Sequence, residues 1–159
     1  MAERALIKKV REKFPSELID SRVFRDEVTL HVKKDAILAI MQYLHEVHDF
    51  DFLTDLCGVD LFPGRPRFEV AYHLYSIKRN DRVRVKVSLD EGEKISTVES
   101  IWKAANWYER EAFDMLGIVF ENHSNLKRIL LWDEFQGHPL RKDFPTEGTD
   151  FDKPVLPDT

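Results

Sequence analysis

The alternation of apolar and polar residues predicts that most of the middle of the chain is β-sheet. Residues 82–89 alternate without error, with Val or Leu at each odd position and Arg, Lys or Ser at each even one. This period of two predicts a strand with one buried and one basic face. Apolar runs and weaker alternation predict further strands over 18–24, 28–32, 53–62 and 68–75, the first two joined as a hairpin.

Apolar residues at helical spacing predict three helices. The first covers 2–14 and ends at Pro15, the second follows an N-cap at Asp35, and the third covers 98–116. Five strands with only two helices among them favour an α+β fold over a doubly wound parallel sheet. We therefore predict two layers, a mixed or antiparallel sheet of about five strands with helices on one face, followed by an extended C-terminal arm.

The composition of the chain changes towards its C-terminus. Residues 132–159 contain four of the seven prolines and show neither helical nor strand periodicity, although aromatic residues recur along them. Segments that only need to be solvated seldom keep so many aromatic side chains. This predicts an α+β domain over 1–131 and an extended interaction arm over 132–159.

Composition narrows the functional class. The 159 residues carry a formal net charge of −5 with both signs mixed, which argues against a nucleic-acid binder. No run of apolar residues approaches the length of a membrane span, and the first 14 residues lack the pattern of a signal peptide, so we expect a cytoplasmic protein without membrane insertion. The single cysteine, Cys57, excludes an internal disulfide and a cysteine-ligated iron–sulfur cluster.

Two residues of the third predicted helix break its amphipathic pattern. On a helical wheel Glu109 falls within the apolar arc and Trp107 within the polar one. A buried carboxylate must be paired or hydrogen-bonded, so Glu109 is expected in an internal salt bridge or as a helix-cap acceptor, and an exposed Trp indicates a contact surface. Glu111 points away from Glu109, so a hydrolase with two paired carboxylates is disfavoured. The charged group of Arg110, Glu111 and Asp114 fits either a solvated face or an interface.

The remaining candidate chemistry is weak. His45 and His48 lie one helical turn apart but lack a third ligand, so no metal site is predicted there. Cys57 is interpreted as a small buried apolar residue. The chain has no glycine-rich phosphate loop, so no cofactor-binding residue is assigned.

One long pattern identifies a family. It begins with Glu109-Arg110-Glu111 and Asp114, continues through His123, Lys127 and Ile129-Leu130, and ends with the nine-residue block Gly-His-Pro-Leu-Arg-Lys-Asp-Phe-Pro over 137–145. This pattern resembles the C-subunit family of the respiratory NADH-quinone oxidoreductase, complex I. The resemblance covers 102–145, and the strand pattern over 53–89 agrees with it. Because the sequence ends soon after this block, we expect a separate subunit rather than one fused to the D subunit.

The resemblance implies a non-catalytic scaffold in the peripheral arm of a proton-translocating enzyme that transfers electrons from NADH to quinone. It implies no cofactor in this chain, FMN and iron–sulfur clusters in partner subunits, and contacts with the D-type and B-type subunits that form the quinone site. The expected location is the cytoplasmic side of the bacterial cell membrane, peripheral through the complex. Two alternatives stay open: the equivalent subunit of a related membrane-bound hydrogenase or dehydrogenase, and, as a minor one, a free-standing hydrolase.

No catalytic or metal-binding residue is predicted. The residues expected to carry the family signature and the interface are Trp107, Glu109, Arg110, Glu111, Asp114, His123, Lys127, Arg128, Trp132, Gly137, His138, Pro139, Arg141, Lys142, Asp143 and Phe144.

Overall fold

The computed structural model of the protein describes residues 5–148. Residues 2–4 of the first predicted helix and residues 149–159 of the predicted arm lie outside this range. The elements are α1 (Ala5–Lys13), β1 (Leu18–Phe24), β2 (Glu27–Val32), α2 (Ile37–His48), β3 (Phe52–Asp60), β4 (Phe68–Ser76), β5 (Asp81–Leu89), β6 (Lys94–Ser96), α3 (Ala105–Leu116) and β7 (Val119–Glu121).

The five long strands form one mixed sheet in the order β1-β2-β5-β4-β3. The β2–β5 pair is parallel and the other three pairs are antiparallel. This confirms the predicted α+β fold and the hairpin of the first two strands. The parallel pair β6–β7 was not predicted, because strands of three residues are too short for alternation to show.

One face of the sheet carries the core, and the helices pack there. The Val and Leu side chains of 82–89 are buried while Arg82, Arg84 and Lys86 lie on the opposite, open face, as their alternation predicts. Gly58 of β3 lets α3 approach closely: a Cβ atom at this position would lie 2.5 Å from Cδ1 of Leu116 and 2.9 Å from Cδ1 of Ile118. The glycine therefore sets the distance between α3 and the edge of the sheet.

Two predictions about helix boundaries are wrong. The third helix begins at Ala105 rather than at residue 98, because the segment before it forms turns in which Trp102 N–H donates to Val98 O and Ala105 N–H to Trp102 O. Val98 and Trp102 are nevertheless buried. Their helical spacing therefore indicated buried positions correctly, although the backbone there is not helical. Asp35 is not an N-cap, since it lies in the short 3-10 turn Lys34–Ala36 and α2 starts without a side-chain cap.

Within residues 5–148, no helix combines the length and the apolar character that crossing a bilayer requires.

Candidate functional site

Glu109 lies at the centre of the contact between α3 and the segment that precedes it. Its carboxylate is fully buried, and it accepts hydrogen bonds from Val98 N–H at 2.8 Å and from the Thr97 hydroxyl. Burial raises the pKa of Glu109 to about 7, and the two hydrogen bonds oppose this rise without cancelling it. Of the two expected roles, the salt bridge to a Lys or Arg does not form within residues 5–148. The carboxylate is instead an acceptor, and the segment before the helix supplies both hydrogen bonds.

His123 packs beside this carboxylate and fixes the loop that follows β7. Its Nδ1 accepts from Asn125 N–H at 3.0 Å, so its Nε2 carries the proton and donates to Asn106 O at 3.1 Å. Nε2 lies 3.9 Å from Glu109, too far for a hydrogen bond. His123 is therefore a structural link between this loop and the start of α3.

Asp114 binds the segment after β7 that runs alongside α3. It is fully buried, it accepts from Arg128 Nη1 at 2.6 Å, and its Oδ2 accepts three successive backbone N–H groups, those of Ile129, Leu130 and Leu131, at 3.0, 2.8 and 3.0 Å. Burial alone raises the pKa of Asp114, but the N–H groups and Arg128 outweigh it and hold the pKa below its ordinary value. Asp114 is therefore an anion held at the centre of a ring of donors.

Two arginines complete the attachment of this segment. Arg110 donates to Lys127 O at 3.1 Å and to Arg128 O at 3.0 Å, and its guanidinium stacks over the ring of Trp107 at 5.4 Å. Arg128 also donates to Phe135 O at 2.9 Å and Gly137 O at 3.0 Å. Of the two interpretations left open for Arg110, Glu111 and Asp114, a solvated face applies only to Glu111. The 127–131 segment covers Arg110 and Asp114, so these two charges form an internal contact between parts of the chain.

The block over 137–145 caps the C-terminus of α3. The last carbonyl groups of a helix have no partner within it. Here His138 Nδ1 bonds Asp114 O at 2.9 Å, Leu140 N–H donates to the next carbonyl, that of Met115, at 3.1 Å, and Arg141 Nε donates to Leu116 O at 2.7 Å. Three successive carbonyl groups are thus satisfied by three residues of one short segment. This part of the signature therefore supplies donors to the last carbonyl groups of α3.

A buried arginine ties the same segment to the sheet. Arg67, at the start of β4, contacts the carboxylates of Asp60 at 3.2 Å, Glu91 at 3.0 Å and Asp143 at 2.6 Å. The hydrogen bond to Asp143, followed by those to Asp60 and Glu91, raises the pKa of Arg67 above its ordinary value. Lys142 N–H donates to Oδ2 of Asp60 at 2.9 Å, the same oxygen that Arg67 Nη2 contacts. Residues 132–148 therefore contact the domain at α3 and at the end of β3.

Large apolar side chains stand exposed along this part of the molecule. Trp107 is 62% exposed, as its wheel position predicts, and Leu130, Leu140 and Trp132 are 62%, 60% and 55% exposed. They lie on α3 or on the segments that hydrogen-bond to it, and we call these four residues the α3 surface. Trp132 packs edge-on against Phe135, which stacks on Phe144, so two residues of the predicted interface set share one aromatic cluster.

The structure thus brings most of the predicted residues into one network around α3. Within residues 5–148, four of the predicted residues make no side-chain hydrogen bond or ion pair: Glu111, Lys127, Pro139 and Lys142. Two of these take part through the main chain, Lys127 through its carbonyl and Lys142 through its N–H. His45 and His48 pack against the rings of Trp102 and Tyr43 respectively. The two histidines are therefore held by different aromatic partners.

The sequence matches, over residues 30–150, the family described as "Respiratory-chain NADH dehydrogenase, 30 Kd subunit". The chain belongs to this family. The C subunit of NADH-quinone oxidoreductase from Geotalea uraniireducens is 48% identical to it over 153 residues, 94% of this chain and 93% of that protein. The C subunit from Geobacter metallireducens is 49% identical over 152 residues, 93% of each chain.

A solved structure agrees in fold. A chain of the membrane-bound sulfane sulfur reductase, an archaeal respiratory membrane complex, superposes with a TM-score of 0.75 at 26% identity, covering 89% of this chain and 84% of that one. The resemblance to the C-subunit family that the signature over 102–145 indicated is confirmed. The much higher identity to NADH-quinone oxidoreductase relatives favours complex I over a related membrane-bound complex.

For this member of the 30 Kd subunit family, sequence reasoning missed Asp60 and Arg67. Both are buried charged residues, and they stand at the two ends of the loop that joins β3 to β4. A signal was present, since Asp60 lies near the end of one predicted strand and Arg67 directly precedes the next. A carboxylate and a guanidinium at facing strand ends predict a buried pair.

Proposed function

We propose that this chain is a scaffold subunit, without a catalytic site of its own, in the peripheral arm of a proton-translocating NADH-quinone oxidoreductase. The names of its relatives support membership of that complex. In this proposal FMN and the iron–sulfur clusters belong to partner subunits, and the chain supports electron transfer from NADH to quinone by holding those subunits in place.

The observation that carries the proposal is the use of the charged signature residues. Glu109, Arg110 and Asp114 are buried, and each binds the main chain of a neighbouring segment. A catalytic group must instead reach a substrate in a cleft. Glu111, the second carboxylate of the hydrolase alternative, is exposed, so the two glutamates share no site. These residues build a rigid support and leave their charges unavailable to a substrate.

The α3 surface supports a docking role. Exposed tryptophan and leucine side chains, here on α3 and on the segments hydrogen-bonded to it, are typical of interface anchors. The hydrogen bonds of Asp114, Arg128 and Arg141 fix the segments that carry the exposed side chains. Because these segments are already ordered, the entropy cost of binding a partner is lower. We propose that partners of the D and B types cover this surface on the cytoplasmic side of the membrane.

The test is the Trp107→Ala variant of the full chain. The variant gene replaces the native gene in the organism, and the complex is then purified from its membranes. We expect a soluble, folded variant with the same thermal midpoint within a few degrees. Co-purification of the partner subunits and NADH-dependent quinone reduction should fall at least tenfold, because interface hot spots cost about 2 kcal/mol or more when truncated.

The matched control is Phe24→Ala. Phe24 is 56% exposed but lies on β1, the edge of the sheet opposite to β3 and α3. The proposal is supported if Phe24→Ala assembles normally and Trp107→Ala does not. Normal assembly and activity of both variants would refute docking through the α3 surface.

A further inference from the structure

Three side chains with metal-ligand chemistry meet on the open face of the sheet. Asp55 and Cys57 extend from β3 and His73 from the neighbouring β4. One ligand atom from each, a carboxylate oxygen, the thiol sulfur and an imidazole nitrogen, all lie within 4.8 Å of one another. The sequence did not indicate this group, because its members come from two strands and are brought together by strand pairing.

An irregularity in β3 creates the juxtaposition. Leu53 pairs with Leu74, but the next pair is Asp55 with His73, so Thr54 is an extra residue on β3. Such a bulge turns the following side chains to the other face of the strand. Without it Thr54 would stand opposite His73, and Asp55 would point towards the core. The bulge therefore places Asp55 beside His73 and on the same face as Cys57.

The three side chains are available to a ligand. Among residues 5–148, none of them has a side-chain hydrogen bond or ion pair. Asp55 is exposed, and Cys57 and His73 are half-buried, so an ion can reach all three. They differ in this respect from the buried carboxylate of Asp114, which accepts hydrogen bonds from Arg128 and from three backbone N–H groups.

The local charge permits a cation. Arg84 stands directly opposite His73 on β5, and Lys86 follows on the same face. Arg84 is paired with Glu27 at 3.2 Å, and Lys86 with Glu69 at 2.7 Å, so both basic groups already have counter-charges. Burial, helped by Arg84, lowers the pKa of His73, which keeps the imidazole neutral as metal binding requires.

We propose that Asp55, Cys57 and His73 form a binding site for Zn²⁺, with three ligands from this chain and a fourth position open to water or to a partner group. A thiolate, an imidazole and a carboxylate together suit Zn²⁺, whereas Mg²⁺ and Ca²⁺ prefer oxygen ligands only. On binding, the Cys57 thiol releases its proton to solvent and the sulfur forms the metal bond. Because metal binding releases this proton, binding strengthens as pH rises.

The probe is Co²⁺ added to the reduced, metal-free full chain. A Co²⁺–thiolate bond gives a charge-transfer band in the near ultraviolet, and four-coordinate Co²⁺ gives strong visible bands. We expect both bands to saturate at one equivalent and to disappear when Zn²⁺ is added. Cys57→Ser should abolish the charge-transfer band, and His73→Gln and Asp55→Asn should each weaken Co²⁺ binding by more than about tenfold.

His31→Gln is the matched control, since it removes another imidazole from the same open face, on β2; its Co²⁺ titration should match that of the native chain. As a readout that needs no substitution, Zn²⁺ should protect Cys57 from alkylation in the native chain. Absence of the bands, a band unchanged by both His73→Gln and Asp55→Asn, or alkylation that Zn²⁺ does not slow would each overturn the proposal.

Discussion

Replacing Glu109 by Gln removes a buried carboxylate whose ionisation opposes folding. The pKa of Glu109 is about 7 in the folded chain and has an ordinary value of 4.5. At about 1.4 kcal/mol for each tenfold change in proton affinity, this difference corresponds to roughly 3 kcal/mol. Because the folded-state pKa is raised, the stabilising effect of the protonated group is complete below pH 4.5 and is lost as pH rises through 7.

The expected result is a stability difference that depends on pH. At pH 5 the Gln variant should be as stable as the native chain or slightly less stable, since its amide oxygen still accepts from Val98 N–H. By pH 8 it should have gained up to roughly 3 kcal/mol relative to the native chain. His123, Glu99 and the buried hydroxyl of Tyr72 surround the carboxylate and are present in both proteins, so the difference isolates Glu109.

The assay is urea unfolding of the full chain at several pH values between 5 and 8. Glu111→Gln is the matched control, because Glu111 lies two residues away on α3 and is exposed. Its unfolding free energy should follow that of the native chain within about 0.5 kcal/mol throughout. If the native and Glu109→Gln free energies run parallel across this range, Glu109 is not a buried group of raised pKa.

Three further predictions concern the supports of α3. Asp114→Asn should cost about 3 to 5 kcal/mol at pH 7, because it leaves Arg128 without its buried partner. In the native chain, the stability that the ionised carboxylate contributes should be lost as pH falls through the pKa of Asp114, which lies below its ordinary value of 3.8; acid unfolding followed by circular dichroism would show this loss. Gly58→Val should cost about 1 to 3 kcal/mol in urea unfolding, since its side chain displaces Leu116 and Ile118; an unchanged midpoint would mean that α3 can move away from the sheet. Deleting 132–159 should leave the sheet folded but abolish assembly with the partner subunits. The thermal midpoint should fall by on the order of 5 °C, because the carbonyl groups of Met115 and Leu116 lose their donors. An unchanged midpoint would show that these hydrogen bonds add nothing to stability.

Local sequence patterns predicted the sheet because alternation directly reflects burial on one face. The alternation of 82–89 predicted which side chains of β5 are buried and which lie on the open face. The position of Glu109 within the apolar arc of the helical wheel predicted that it is buried. The start of α3 was wrong because Val98 and Trp102 are buried by turns, and apolar spacing cannot distinguish a buried turn from a helix.

The partners of the charged residues could not be predicted because they are far along the chain. Asp114 binds N–H groups 15 to 17 residues later, and Arg67 binds Asp143, which is 76 residues later. The family resemblance marked these residues without showing what they bind. In the same way, Asp55, Cys57 and His73 come together only through a bulge that the sequence does not reveal.

The most direct test of the proposed function is the composition of the complex that co-purifies with the tagged full chain from its native membranes. Membership of complex I predicts a large assembly that contains partners of the D and B types, carries FMN and iron–sulfur clusters, and oxidises NADH. Recovery of the chain alone would contradict a scaffold role. Recovery with a nickel-containing large subunit and no NADH-oxidising subunits would instead place the chain in a hydrogenase-type complex.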